Sequence, residues 1–189
     1  MHERRPTLHL STRILPKTRA VWYNAPVDTK VEIEIDGALP RRLGIAKAAL
    51  RAIARFFAQR SAARVGVPFR AVTVILQDDA ASAAVHEAVC GAAGATDVVT
   101  QRYDAMPGEA PGVYGELYVN CDRALSAAPR RRNWSPAKEL LLYVAHGMDH
   151  LSGEDDLEPS GYARMRRREL GWLKKWFSVT QEHGENLAV

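Results

Sequence analysis

Residues 146–156 read HGMDHLSGEDD, with His146 and His150 four positions apart. On an α-helix that spacing stacks one side chain above the other, so two imidazoles can grip one cation. A metal site needs at least a third ligand. The helix cannot supply it, because a further residue on the same stripe lies too far along the axis. The chain must fold back. Gly153 can make that turn with least steric cost, and Asp156 then has the reach to complete the set. Three protein ligands leave a position for water, as in catalytic zinc sites. Zinc is the expected ion, although two imidazoles and a carboxylate also suit other divalent first-row metals.

A cation with an open position generates a nucleophile from water near neutral pH and stabilises developing oxyanion charge. Peptide carbonyls and phosphodiesters are the two natural targets. Helical zinc proteases carry HExxH, in which Glu is the general base. Here that position is Gly147, so a protease-like hydrolase would need Glu154 or Asp149 as a substitute. Asp155, next to the third ligand, is the candidate to orient a ligand or relay a proton. Asp149 is a second partner for the site or a surface charge.

The formal charge of +4 permits a polyanionic partner without demanding one. Its distribution says more. Arg130, Arg131 and Arg132 form one run; Arg164, Arg166, Arg167 and Arg168 form another, with Lys174 and Lys175 behind. Two basic runs flanking a metal motif favour nucleic acid. Arg130, Arg131, Arg132, Arg164 and Arg168 are the candidates to grip phosphates.

The elements that must position these groups follow from periodicity. KVEIEI (30–35) alternates apolar and charged residues as a half-exposed strand does. Residues 42–63 recur apolar every three to four positions, a helix stopped by Gly66 and Pro68. Strands are expected at 69–76, 96–101 and 113–120. Asp78 or Asp79 caps a helix to about Val89, and Asn120 or Asp122 a short one to Ala128. Ser135 and Pro136 open the metal helix, which runs to about Leu151, with Ala137, Leu141, Val144, Met148 and Leu151 as its apolar face. A last helix spans 159–177, with Tyr162, Met165, Trp172 or Leu173, and Trp176 as its stripe. This is an α+β fold: a small mixed sheet of about four strands with helices packed on it.

Residues 1–30 read as an irregular N-terminal extension with a possible strand near Leu8–Leu10, residues 31–177 as one domain, and 178–189 as a loose tail. No apolar run is long enough for a signal peptide or a membrane span. Cys90 and Cys121 are far apart, form no CxxC, and are expected to be buried and inert. A reducing cytoplasm fits best.

HGMDHLSGEDD resembles the hallmark HGxLHLxGYDH of the YbeY family of bacterial rRNA-maturation endoribonucleases. His146 and His150 match the first two metal-binding histidines, Gly147 and Gly153 the glycines, and Asp155 the aspartate; Asp156 stands where the third histidine would be. TDVVTQ (96–101) is similar to the family's TDVLSF strand, and GELYVN (115–120) to its GEIxIS strand. The resemblance covers about residues 31–176. It implies a metal-dependent single-strand endoribonuclease in rRNA processing and ribosome quality control, partnered by rRNA and by the ribosome or its small subunit. A binding protein with a purely structural metal is the reading from a different class. Three departures bear on chemistry. Cys90 stands at the family's arginine before the TDVLSF strand, Glu154 at its tyrosine, and Asp149 at the motif's second leucine. The two added carboxylates are expected to make the cleft more acidic.

Overall fold

The computed structural model describes residues 31–182. The extension 1–30, with its expected strand near 8–10, lies outside the described residues, as does the chain beyond 182. Four strands form the sheet: β1 (Glu32–Asp36), β2 (Phe69–Gln77), β3 (Val98–Asp104) and β4 (Val113–Asn120). Their order is β1-β2-β4-β3, with β1 and β4 parallel to β2 and β3 antiparallel to β4. The mixed α+β architecture expected from the sequence is therefore present.

Five helices accompany the sheet: α1 (Lys47–Val65), α2 (Asp79–Cys90), α3 (Cys121–Ala127), α4 (Pro136–Leu151) and α5 (Pro159–Glu182). Each cap assigned from sequence has a visible partner. Asp78 accepts from Ala81 N at 2.8 Å and Asn120 from Arg123 N at 2.9 Å. Ser135 accepts from Lys138 N at 3.2 Å, with Pro136 in the first helical position where its missing N–H costs nothing.

Two helix boundaries differ from expectation, each for a local reason. Residues 41–43 form a separate 3-10 turn, and α1 starts only at Lys47 because Gly44 (φ 71°) is left-handed and interrupts the helix. α5 runs past the expected end at 177 to Glu182, and no glycine or proline lies in that stretch to stop it. On α5 the stripe also rotates: Met165 and Leu173 are buried, while Tyr162 is exposed beneath Arg166. Trp172 and Trp176 pack against Phe57 and Phe56 of α1, ring centroids 6.2 and 5.4 Å apart. No described helix is long and apolar enough to cross a membrane.

The largest departure concerns α4. A one-sided apolar face was expected, but α4 is buried nearly all round, including Leu140, Leu142 and Ala145 outside that face. It packs on the sheet, on α1, on α3 and on α5. Two glycines permit its close approach to the sheet. A Cβ on Gly147 would lie 2.7 Å from Leu117 Cδ2 and 3.2 Å from Val98 Cγ2; one on Gly115 would lie 2.5 Å from Leu151 Cδ2. Gly147 thus faces the core, and a glutamate there, as in HExxH, would be driven into packed apolar side chains.

Candidate metal centre

α4 presents Glu139, Tyr143, His146 and His150 along one stripe, and α5 lies across it. The His146 and His150 side chains are 12% and 26% exposed, so they point into a cleft and not into open solvent. After Leu151 the chain turns through Gly153 (φ 90°) and brings Asp156 back over the histidines. His146 Nε2 lies 3.2 Å from His150 Nε2 and 3.4 Å from Asp156 Oδ2; His150 Nε2 lies 3.6 Å from Asp156 Oδ1. The three side chains proposed from sequence do converge.

The outer nitrogens determine what the inner ones can do. His146 Nδ1 is 2.7 Å from Glu169 Oε1, and His150 Nδ1 is 3.0 Å from the Glu154 carbonyl oxygen. A carbonyl and a carboxylate only accept, so each Nδ1 carries the hydrogen. In the neutral rings both Nε2 atoms are then bare lone pairs, facing each other and an Asp156 oxygen. Three electron-pair donors on one point repel unless a cation sits among them. Two imidazoles and a carboxylate, each ring oriented from behind, form a donor set that fits a divalent metal.

The electrostatics agree in direction. Burial disfavours a charged His146, but the hydrogen bond and charge of Glu169, helped by Asp97 and Asp156, outweigh it and raise the His146 pKa. A field that draws a proton to this ring also draws a metal ion.

Glu169 is the residue that sequence reasoning missed. It is fully buried on α5, a place where a carboxylate needs a partner. In the sequence it follows three arginines and reads as a counter-charge on a solvated helix. Only a burial pattern one turn beyond Met165 could have marked it.

Among the described residues, the Asp155 carboxylate makes no hydrogen bond to His146 or His150. Its Oδ1 accepts from Leu157 N at 2.8 Å and shapes the loop, while its carbonyl oxygen sits where a Cβ on Gly161 would come within 2.5 Å. That approach brings the first turn of α5 close against the metal loop.

Asp149 and Glu154 depart from expectation. Asp149 is fully buried and is neither a partner of the metal cluster nor a surface charge. Arg168 binds it at 2.8 Å through Nε and 2.6 Å through Nη2, and Arg64 stands 3.5 Å away. Glu154 receives Arg64 at 2.7 Å, Arg168 at 2.9 Å and Arg164 at 3.2 Å. Burial opposes ionisation of Glu154, but hydrogen bonding to Arg168 and the charges of Arg64 and Arg168 hold its carboxyl down at about 2. Burial pushes the Asp149 carboxyl up, and Arg168 and Arg64 offset that only in part. The cleft is therefore not made acidic by these residues, because three arginines neutralise them. Together with an Arg64–Ser152 hydrogen bond and an Arg102 bond to the Leu151 carbonyl oxygen at 3.0 Å, they clamp the segment that carries Asp156.

The same network removes Arg168 (17% exposed) from the set of free rim cations. Arg164 is tied to Glu154 but remains more than half exposed. Arg131 pairs with Glu139 at 3.2 Å and stacks over Trp134 at 5.4 Å. Arg130 and Arg132 are exposed. Cys90 is exposed too, contrary to expectation, because α2 buries only Ser82. Cys121 is buried, and burial pushes its thiol up to about 11.

Comparison with known proteins bears on this geometry. Residues 41–176 match the family described as "Endoribonuclease YbeY". An Endoribonuclease YbeY of Rhodopirellula baltica is 42% identical over 80 residues, 42% of this chain and 40% of that protein. That of Kineococcus radiotolerans is 32% identical over 118 residues, 57% of this chain and 68% of the relative. That of Micrococcus luteus is 40% identical over 102 residues, 51% of this chain and 64% of the relative. The chain thus spans less than half of the first of these relatives and about two thirds of the others. A Thermotoga maritima protein solved in solution aligns with a TM-score of 0.48 at 21% identity, over 81% of this chain and 95% of that chain. The family match runs from the turn before α1 to Trp176 and so takes in three of the four strands, α4 and the returning loop: the chain belongs to the YbeY family.

Proposed function

We propose that this protein is a metal-dependent endoribonuclease that hydrolyses phosphodiesters of single-stranded rRNA during small-subunit maturation, in the cytoplasm and in contact with the ribosome. The observation that carries the reading is the convergence of His146 Nε2, His150 Nε2 and Asp156 with both Nδ1 hydrogens already committed. The ligands are His146, His150 and Asp156, and the ion is zinc, since two imidazoles with one carboxylate form a recurrent catalytic zinc set. When bound, the cation supplies Lewis acidity, acidifying water and stabilising charge that develops on a phosphoryl oxygen.

The chain's own groups do the rest. Glu169 and the Glu154 carbonyl hold the two rings in register. The Arg64–Arg168 clamp holds Asp156 over them. Exposed Arg130, Arg132 and Arg164 supply charge to draw in a polyanion. Asp155, one residue from the metal ligand, remains the candidate proton relay. A protease reading is disfavoured by Gly147, whose position against Leu117 and Val98 leaves no room for the base.

The test is cleavage of a single-stranded rRNA fragment by purified protein, with metal content measured alongside. Wild type should cleave, a chelator should stop it, and zinc should restore it. His150→Ala should lose bound metal and cleavage together while the melting temperature of the metal-free form is kept. Casein hydrolysis with RNA left intact would refute the reading. So would metal loss that collapses the fold of a protein that never cut RNA.

A further inference from the structure

A cavity of about 310 Å³ opens beside the metal cleft, and its lining includes none of the three convergent side chains His146, His150 and Asp156. Its walls include Asp97, Arg123, Arg130, Glu139, Tyr143 and Arg166, drawn from the approach to β3, α3, the turn after it, α4 and α5. Three guanidiniums thus face one space from three segments of chain. That space is at the small end of ligand pockets and is lined by polar groups, as suits a compact, charged ligand.

The two carboxylates in the wall are already committed. Glu139 accepts from Trp134 Nε1 at 2.6 Å and pairs with Arg131 at 3.2 Å. Asp97 Oδ1 accepts from Val98 N at 3.0 Å and from Thr96 Oγ1 at 3.1 Å. The arginines are less spent. Arg123 gives one bond, to the Ala95 carbonyl oxygen at 3.1 Å, which leaves most of its five donors. Among the described residues, Arg130 has no carboxylate within ion-pair distance. Tyr143, whose phenol burial and the Glu139 charge keep protonated, adds a neutral hydroxyl. A cation would meet three guanidiniums there, whereas an anion finds donors.

The cavity is coupled to the metal cleft in two ways. Arg166 lies 3.5 Å from Glu169 Oε2, and Glu169 Oε1 holds His146 Nδ1. Glu139 and Tyr143 are on the α4 stripe that continues into His146 and His150. At 1.5 Å rise per residue, the cavity wall begins about 4.5 Å along the axis from His146 and extends to about 10.5 Å. A phosphate in the cavity would therefore be a neighbour of the one at the metal, not the same one.

We propose that this cavity is a phosphate site for the RNA strand, in which Arg123 and Arg130 grip a phosphodiester flanking the scissile one and Arg166 lines the side nearest the metal. The proposal rests on the nuclease reading for the identity of the strand, but the anion site rests on the arginines alone. Cys90 is exposed at the end of α2. Arg123 arises from a different helix yet bonds the backbone of Ala95, in the same connection that follows Cys90. Bidentate guanidinium–phosphate pairing gives both charge and orientation, so the site sets the register of the strand on the metal.

The experiment compares wild type with Arg123→Gln, Arg130→Gln and the double variant, all zinc-loaded. Both side chains are exposed, so the fold and metal content should be unchanged. Binding of a labelled single-stranded oligonucleotide is followed against salt concentration. The double variant should bind about tenfold or more weakly, and its log–log salt slope should flatten by about 0.7 for each phosphate no longer neutralised. KM should rise far more than kcat falls. Unchanged slope and KM in a protein that still cleaves RNA would overturn the phosphate site and leave the nuclease reading intact. If wild type binds no RNA, the nuclease reading fails by itself, and inorganic phosphate becomes the probe. A rise in melting temperature with phosphate in wild type but not in the double variant supports the anion site; no rise in either overturns it.

Discussion

Replacing Glu169 with glutamine tests the logic of the metal centre directly. The carboxylate is fully buried, and its Oε1 takes the His146 Nδ1 hydrogen at 2.7 Å, fixing the ring so that Nε2 faces His150 and Asp156. Gln keeps the shape and one acceptor oxygen but removes the charge. A hydrogen bond to a charged group contributes about 1.5–3 kcal/mol and a neutral one about 0.5–1.5 kcal/mol. The difference of about 1–1.5 kcal/mol corresponds to about a tenfold loss of metal affinity, at the lower end of the effect expected for a ligand's outer partner. Glu169→Ala removes the acceptor outright and also strips Arg166 of its 3.5 Å partner, so about a hundredfold loss is expected. Competition with a chromophoric chelator measures both. The melting temperature of the metal-free forms shows whether the fold is intact. If both variants bind zinc within about twofold of wild type, Glu169 does not orient the ligand and the account of the Nδ1 hydrogens is wrong.

Two further predictions concern the scaffold. Asp149→Ala leaves Arg168 and Arg64 facing a buried void on one side of the clamp, and breaking a buried ion pair from one side costs about 3–5 kcal/mol. Chemical denaturation should show that loss, with weaker metal binding as the Asp156 segment loosens; a change under about 1 kcal/mol would mean that Glu154 alone sustains the clamp. Gly147→Ala places a methyl 2.7 Å from Cδ2 of Leu117, a fully buried side chain that must shift to make room. Overpacking of this kind costs about 1–3 kcal/mol. A thermal melt should fall by several degrees, and a neutral result would show that α4 can lift off the sheet.

The sequence by itself determined α4 and its site-bearing turn. Ser135, Pro136 and Gly153 fix where the helix starts and where the chain reverses, because capping and left-handed turns are local events. The four-residue spacing of His146 and His150, and the reach of Asp156, follow from helix geometry and a short loop. The mixed sheet was legible for the same reason: alternation in β1 and the branched residues of β2 and β4 are properties of neighbours in the chain.

What only the tertiary structure decided is which charges meet. Glu169 reaches His146 across 23 residues, Arg168 reaches Asp149 across 19, and Arg64 comes to Glu154 from α1, 90 residues away. In the sequence Glu169 and Arg168 are adjacent members of one charged run, equally suited to a solvated face. In the fold one orients the His146 ring and the other holds the loop that carries Asp156. Local periodicity says that a side chain leaves the helix on a given face, but the partner on that face is set by how α5 crosses α4. A buried charge is stable only where that crossing supplies its counter-charge, and no local pattern in the chain records it.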